Sequence, residues 1–65
     1  MQIILNGKTI STEQTTLEAL LAEQGYSNCS VATAVNEAFI AKKEYANTRL
    51  NADCVIEVVA PMQGG

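Results

Sequence analysis

The chain has no histidine, two cysteines and few basic residues. Because it also lacks a Cys-x-x-Cys pair, we expect no zinc site and no other metal site. Two widely spaced cysteines, Cys29 and Cys54, are too few for the disulfide framework typical of small secreted domains. We interpret both as ordinary small apolar side chains and assign them no role.

Positive charge and long apolar runs are also scarce. Four Lys and Arg residues stand against seven Asp and Glu residues, which gives a net charge of −3 and no cluster of cations for nucleic acid. No segment approaches the ~20 apolar residues of a membrane span, and the N-terminus lacks the basic start of a signal peptide. We therefore expect a cytoplasmic protein, monomeric alone, that binds neither nucleic acid nor membrane.

The length of 65 residues limits what the chain can build. A pocket of roughly 300 Å3, the lower end for small-molecule sites, would consume the core that stabilises so small a domain. The acidic residues Glu37, Glu44 and Asp53 show no pairing typical of acid–base catalysis. We expect no catalytic residue, and we favour a module that works by binding another protein.

The first third of the chain predicts a hairpin. Residues 2–6 alternate, with Ile3 and Leu5 on one face of a strand and Ile4 on the other. The Asn-Gly pair that follows is typical of a type I′ turn, because both residues tolerate positive φ. Residues 8–11 then return antiparallel.

A helix is predicted next. Thr15 and Glu18 fit a capping box at its start, and Gly25 fits a left-handed cap at its end. Its buried stripe is formed by Leu17, Leu20 and Leu21.

The second half predicts strands at 31–36, from 39 and at 54–59, with a brief turn or single helical turn at 42–46 and a turn at 51–53. The inward face of the strand at 31–36 is left open by its sequence, since valine and threonine alternate with alanine.

One helix can cover only one face of such a sheet. In the last strand, Ile56 and Val58 are expected to face the helix. The opposite face then groups exposed aliphatic side chains, a feature of docking surfaces. This predicted docking face consists of Ile4, Val55, Glu57 and Val59.

The C-terminus is the most informative segment. Strand pairing is expected to fail at Pro61, which has no N–H to donate, so we divide the chain into a domain at 1–59 and an arm at 60–65. Six extended residues reach about 20 Å. Gly64 and Gly65 have no Cβ, so this flexible arm is suited to carry its terminal carboxylate into a narrow channel. A frayed terminus without a function is the alternative.

At this point the whole chain resembles the ThiS family, the ubiquitin-like sulfur carriers of bacterial thiamin biosynthesis. The resemblance is carried by the opening Met-Gln-Ile-Ile-Leu-Asn-Gly, by the segments 15–21, 31–36 and 43–46, and by the closing run from Asp53 to Gly65. Within that run, Val-Ile-Glu-Val-Val-Ala-Pro-Met-Gln-Gly-Gly is the most specific part. Ala52 is a departure, because the family commonly has glycine there.

The resemblance implies an α+β fold of the β-grasp (ubiquitin-like) type. It is a mixed sheet of four to five strands packed on one main helix, with a flexible C-terminal arm. The first and last strands would pair in parallel at the centre of the sheet, and we expect this pairing to place Ile4 beside Val59.

The resemblance also implies a mechanism. A ThiF-type adenylyltransferase would use ATP and Mg2+ to adenylate the Gly65 carboxylate, and a persulfide from a cysteine desulfurase or rhodanese-type donor would convert it to a thiocarboxylate. Thiazole synthase (ThiG) would then take the sulfur. The carrier would bind no cofactor itself. The segment entering the partner's active site would be Pro61, Met62, Gln63, Gly64 and Gly65.

Three alternatives remain from the sequence. A MoaD-like carrier would supply sulfur to molybdopterin through the same fold and tail. A ubiquitin-like protein modifier would join Gly65 to a lysine through an isopeptide bond. A pure interaction module would tolerate the loss of Gly65, whereas a carrier would not.

Overall fold

The computed structural model describes residues 1–26 and 30–60, and within them it contains five strands and two helices. The strands are β1 (Gln2–Leu5), β2 (Lys8–Ser11), β3 (Ala32–Val35), β4 (Ala38–Ile40) and β5 (Val55–Val59). The α-helix α1 spans Leu17–Glu23 and a 3-10 helix spans Lys42–Asn47.

The strands form one mixed sheet in the order β2-β1-β5-β3-β4. β1 and β5 pair in parallel, and the other neighbours are antiparallel. A parallel pair requires a long crossover, which here contains α1. The β-grasp prediction and the parallel pairing of first and last strands at the sheet centre are confirmed.

Two hairpins turn through left-handed residues. Asn6 and Gly7 have φ values of 50° and 83°, as a type I′ turn requires, so the Asn-Gly prediction is confirmed. The β3–β4 hairpin uses Asn36 and Glu37, with φ values of 51° and 73°. In both turns an asparagine occupies the first left-handed position, which its short polar side chain tolerates.

The predicted capping box is wrong by one residue. Thr16, not Thr15, is the N-cap, and its hydroxyl accepts a 3.2 Å hydrogen bond from the N–H of Ala19. Thr15 cannot be the N-cap, because Thr16 would then have to be helical but is extended, with φ −123° and ψ 156°. The carbonyl of Thr15 accepts a 2.9 Å hydrogen bond from the N–H of Leu50. Glu18 therefore lies one position too early to complete the box.

The helix ends as predicted at Gly25, whose φ is 90°. The N–H of Gly25 bonds to the carbonyl of Ala22 at 3.1 Å, and that of Tyr26 bonds to Leu21 at 2.8 Å. This pair of bonds is the Schellman motif, which satisfies the last carbonyls of the helix.

The core lies between α1 and the inward face of the sheet. Ile56 is fully buried and Val58 nearly so, which confirms that they face the helix. The buried core consists of Ile3, Leu5, Leu17, Leu20, Leu21, Tyr45, Leu50, Cys54, Ile56 and Val58. Cys54 is a buried free thiol, as expected of an apolar side chain, whereas Cys29 lies outside the described residues.

The open question about β3 is answered by its burial. Thr33 is buried, and Val31 and Val35 pack against the core, so this set faces α1. The Thr33 hydroxyl accepts a 3.1 Å hydrogen bond from the hydroxyl of Tyr45. A buried polar group is thus paired within the core, as stability requires.

A polar network joins the loop before α1 to the end of the helix. Thr12 is buried, and its hydroxyl donates a 2.7 Å hydrogen bond to Glu23. Gln14 donates a second bond of 3.4 Å to the same carboxylate. The bond from Thr12, with a smaller contribution from Gln14, lowers the pKa of Glu23 below its ordinary value of 4.5.

Substitution of the true N-cap tests the helix start. We expect Thr16→Ala to lower the free energy of unfolding by about 1 kcal/mol, because the N–H of Ala19 loses its acceptor. Thr15→Ala is the matched control and should change it by under about 0.5 kcal/mol. Urea unfolding of both variants measures the difference, and an equal loss would contradict the assignment of the cap.

Acid unfolding tests the Glu23 network. Since the folded pKa is lowered, the ionised carboxylate contributes stability above about pH 4.5, and this contribution is lost as the pH falls through the folded pKa. Glu23→Gln should therefore weaken the pH dependence of unfolding in that acid range. Urea midpoints measured from about pH 6 to about pH 3 that fall in parallel for both chains would refute this role.

Candidate functional site

The outward face of the sheet is the candidate site, and the strand registers order its side chains in rows, three of which contain the candidate residues. Paired residues share a face, so the rows follow directly from the pairings. The first row contains Thr9, Ile4 and Val55; the second contains Glu57, Ala34 and Phe39; the third contains Val59 and Ala32.

The structure brings the predicted docking residues onto this face, but not in the predicted arrangement. Ile4 is paired with Val55, not with Val59. Val59 lies four residues further along β5, about 13 Å away at ~3.3 Å per residue, and is paired with Ala32 on the other side. The error has a physical cause: no tight turn joins the two parallel strands, so no turn fixes their register in the sequence.

Exposure separates these residues into two kinds. Ile4 and Val55 are half-buried in the middle of the sheet. Val59 is 65% exposed and is flanked by the short side chain of Ala32. Val59 is thus the predicted aliphatic side chain most available to a partner protein.

Phe39 is a further candidate that the sequence prediction missed. It is 72% exposed, and its register with Ala34 places it on the outward face of the edge strand β4. The available signal was the strand period, because Ile40 packs against the core and its neighbour must then point outward. An exposed aromatic ring on a sheet face is a common anchor of protein interfaces.

The charge on this face is of one sign. Glu57 is exposed between Val55 and Val59. None of the four basic residues occupies an outward strand position: Lys8 pairs with the inward-facing Leu5, and the others lie outside the strands, at Lys42, Lys43 and Arg49. The face is therefore apolar and acidic, which suits a partner surface that carries basic and apolar groups.

The site ends where β5 leads into the predicted arm. Val59 is the last residue of β5, and Ala60 is the last residue that the structure describes. The arm residues from Pro61 to Gly65 lie outside the described residues, so the modified residue Gly65 and the boundary between domain and arm stay predictions. The predicted docking face nevertheless includes the strand that leads into the predicted arm.

Within residues 1–26 and 30–60, two further kinds of feature are absent. No group of three or more His, Cys, Asp and Glu side chains in these ranges is placed to hold a metal ion. No helix in the same part of the chain is long and apolar enough to cross a membrane.

The fold and this face define a small ubiquitin-like protein of the β-grasp class. The ThiS family model matches residues 3–65, which is nearly the whole chain. The chain therefore belongs to the ThiS family. This family groups ubiquitin-like sulfur carriers of thiamin biosynthesis.

A solved structure agrees with this fold. The crystal structure of the thiamine biosynthesis protein (ThiS) from Geobacter metallireducens superposes with a TM-score of 0.84 and 19% sequence identity, and all of each chain is covered. At this identity the likeness concerns the fold. A search of curated protein sequences gives no significant match.

Substitutions on the two faces of β5 should affect stability very differently. We expect Val59→Asp to lower the free energy of unfolding by under about 1 kcal/mol, because its side chain is exposed. Ile56→Ala, on the buried face, should lower it by about 2–5 kcal/mol. Thermal and urea unfolding measure the stability of both variants. A loss of stability in Val59→Asp as large as that in Ile56→Ala would contradict the assignment of the faces.

Proposed function

We propose that the chain carries sulfur on the carboxylate of Gly65 and donates it to thiazole synthase for the thiamin thiazole ring. The observation that carries this proposal is the family match, which runs to Gly65 and so includes the terminal diglycine. The fold supports it, since the strand that leads into the arm has exposed side chains on its outward face, where a partner could dock.

Activation is needed because a carboxylate resists attack by a nucleophile. In the proposed first step, a carboxylate oxygen of Gly65 attacks the α-phosphorus of ATP in a ThiF-type adenylyltransferase, and pyrophosphate leaves. The mixed anhydride that forms has a good leaving group in AMP. Mg2+ and ATP belong to the activating enzyme, which neutralises the phosphate charge with the metal.

Sulfur enters in the second step. The terminal sulfur of a donor persulfide, from a cysteine desulfurase or rhodanese-type protein, attacks the Gly65 carbonyl carbon and AMP leaves. A second thiol of the donor then attacks the donor's own sulfur in this acyl disulfide, so that a disulfide forms on the donor and the thiocarboxylate of Gly65 is the leaving group. With inorganic sulfide as the nucleophile, the thiocarboxylate forms directly.

The carrier supplies docking in place of catalytic groups. The activating enzyme would bind the outward face through Val59 and Phe39, with Glu57 directed at a basic residue of the enzyme. Binding through the domain makes the arrival of the arm an intramolecular event and raises its effective concentration at the active site. Thiazole synthase would receive the arm in the same way.

The first experiment measures the intact mass of the chain. After incubation with a ThiF-type enzyme, ATP, Mg2+ and sulfide, we expect a gain that equals the replacement of one oxygen by one sulfur. A chain that ends at Gly64 is the matched control and should gain none. No gain in the full chain, with an enzyme shown to be active on another carrier, would refute the proposal.

A second experiment tests the docking face. We expect Val59→Asp to lower kcat/KM for thiocarboxylate formation about tenfold, mainly through KM, because it buries an unpaired charge in an interface. Asn51→Asp adds the same charge in the turn before β5 and should change kcat/KM by less than about twofold. Equal kcat/KM values for Val59→Asp and the wild type would place docking elsewhere.

A further inference from the structure

The parallel ladder between β1 and β5 stops before β5 does. The N–H of Ile4 donates to the carbonyl of Cys54, and that of Asn6 donates to Ile56, both at 2.9 Å. Each rung advances two residues on both strands, so the next donor on β5 is the N–H of Val58. Its regular acceptor would be the main-chain carbonyl of Asn6.

At Asn6 the main chain turns away from β5. Asn6 has a φ of 50° and begins the β1–β2 hairpin, which ends β1 as a partner for β5. The side chain takes over from the main chain: Oδ1 of Asn6 accepts a 2.8 Å hydrogen bond from the N–H of Val58. Asn6 thus meets two demands at once, a left-handed backbone and an acceptor for β5.

On the other side of β5, the last rung is the pairing of Val59 with Ala32. The end of β5 is therefore held by β3 on one side and by a single side chain on the other. No main-chain pairing of β1 with β5 is found beyond Ile56. Val58 is also the last inward-facing residue of β5 and is buried in the core.

We propose that Asn6 is a positioning residue that fixes the direction in which the C-terminal arm leaves the domain. This inference rests on the proposed function, because the arm must enter a partner's active site while the sheet is docked. A β5 end held on both sides gives the arm a defined starting point. Without the Asn6 rung, the end of β5 pivots about the Val59–Ala32 pairing, and fewer encounters deliver Gly65 correctly.

Two substitutions at Asn6 separate its roles. Asn6→Gly keeps the left-handed backbone and removes the acceptor, so it isolates the hydrogen bond to Val58. Asn6→Asp keeps both, since aspartate also tolerates positive φ and offers Oδ1. If Asn6 positions the arm, Asn6→Gly should lower kcat/KM for thiocarboxylate formation, and Asn6→Asp should restore it.

Amide hydrogen exchange measures the hydrogen bond from the N–H of Val58 to the Asn6 side chain directly. In Asn6→Gly the amide of Val58 should exchange about tenfold faster than in the wild type. Asn36→Gly is the chemically matched control: Oδ1 of Asn36, at φ 51°, accepts a 2.9 Å bond from the N–H of Val55 at the opposite end of β5. Asn36→Gly should accelerate hydrogen exchange at the amide of Val55 and leave the amides of Val58 and Val59 protected.

The rate of thiocarboxylate formation by a ThiF-type enzyme with ATP, Mg2+ and sulfide measures how well Gly65 is delivered to the active site of the enzyme. We expect Asn6→Gly to lower kcat/KM about tenfold at a temperature where it is folded, and Asn6→Asp to recover most of that loss. Thr16→Ala is the stability control, because it weakens the helix cap without touching β5. It should stay within about twofold of the wild type.

The outcomes are distinct. Faster exchange at Val58 together with an unchanged kcat/KM in Asn6→Gly would overturn the positioning role while the proposed function stands. Equal losses of kcat/KM in Asn6→Gly and Thr16→Ala would assign the effect to general stability and overturn it too. A wild-type chain that gains no sulfur refutes the proposed function itself, and the delivery role of Asn6 with it.

Discussion

The structure depends on the parallel pairing of β1 and β5 at the centre of the sheet. This pairing requires the crossover that contains α1, and it makes β5 a strand with neighbours on both sides. The inward side chains Ile56 and Val58 are buried in the core, whereas Glu57 and Val59 are exposed on the outward face. A single five-residue strand thus joins the core, the candidate docking face and the start of the arm.

Much of the fold could be predicted from local signals. The Asn-Gly turn, the leucine stripe of α1 and the Gly25 cap each depend on residues within a few positions of one another, so their chemistry is readable in the sequence. The helix start was misplaced because Thr15 and Thr16 are both good caps. The choice between them involves residues distant in sequence: Thr16 forms a β-bridge with Arg49, and the carbonyl of Thr15 accepts a hydrogen bond from the N–H of Leu50.

The candidate site was less predictable for a related reason. Period-two alternation identified the outward side chains of β1 and β5, yet the parallel register that sets Ile4 against Val55 is a tertiary property. Phe39 joins the same face only because β4 pairs with β3. The bond from Val58 to the Asn6 side chain links residues at opposite ends of the chain and has no local signature at all.

Sulfur transfer to the thiazole tests the central claim most directly. A chain that carries heavy-isotope sulfur in its Gly65 thiocarboxylate would be incubated with thiazole synthase and its other substrates. We predict that the heavy sulfur appears in the thiazole while the carrier returns to the carboxylate mass. Heavy sulfur that stays on the carrier, while an established carrier is consumed by the same enzyme, would contradict the account.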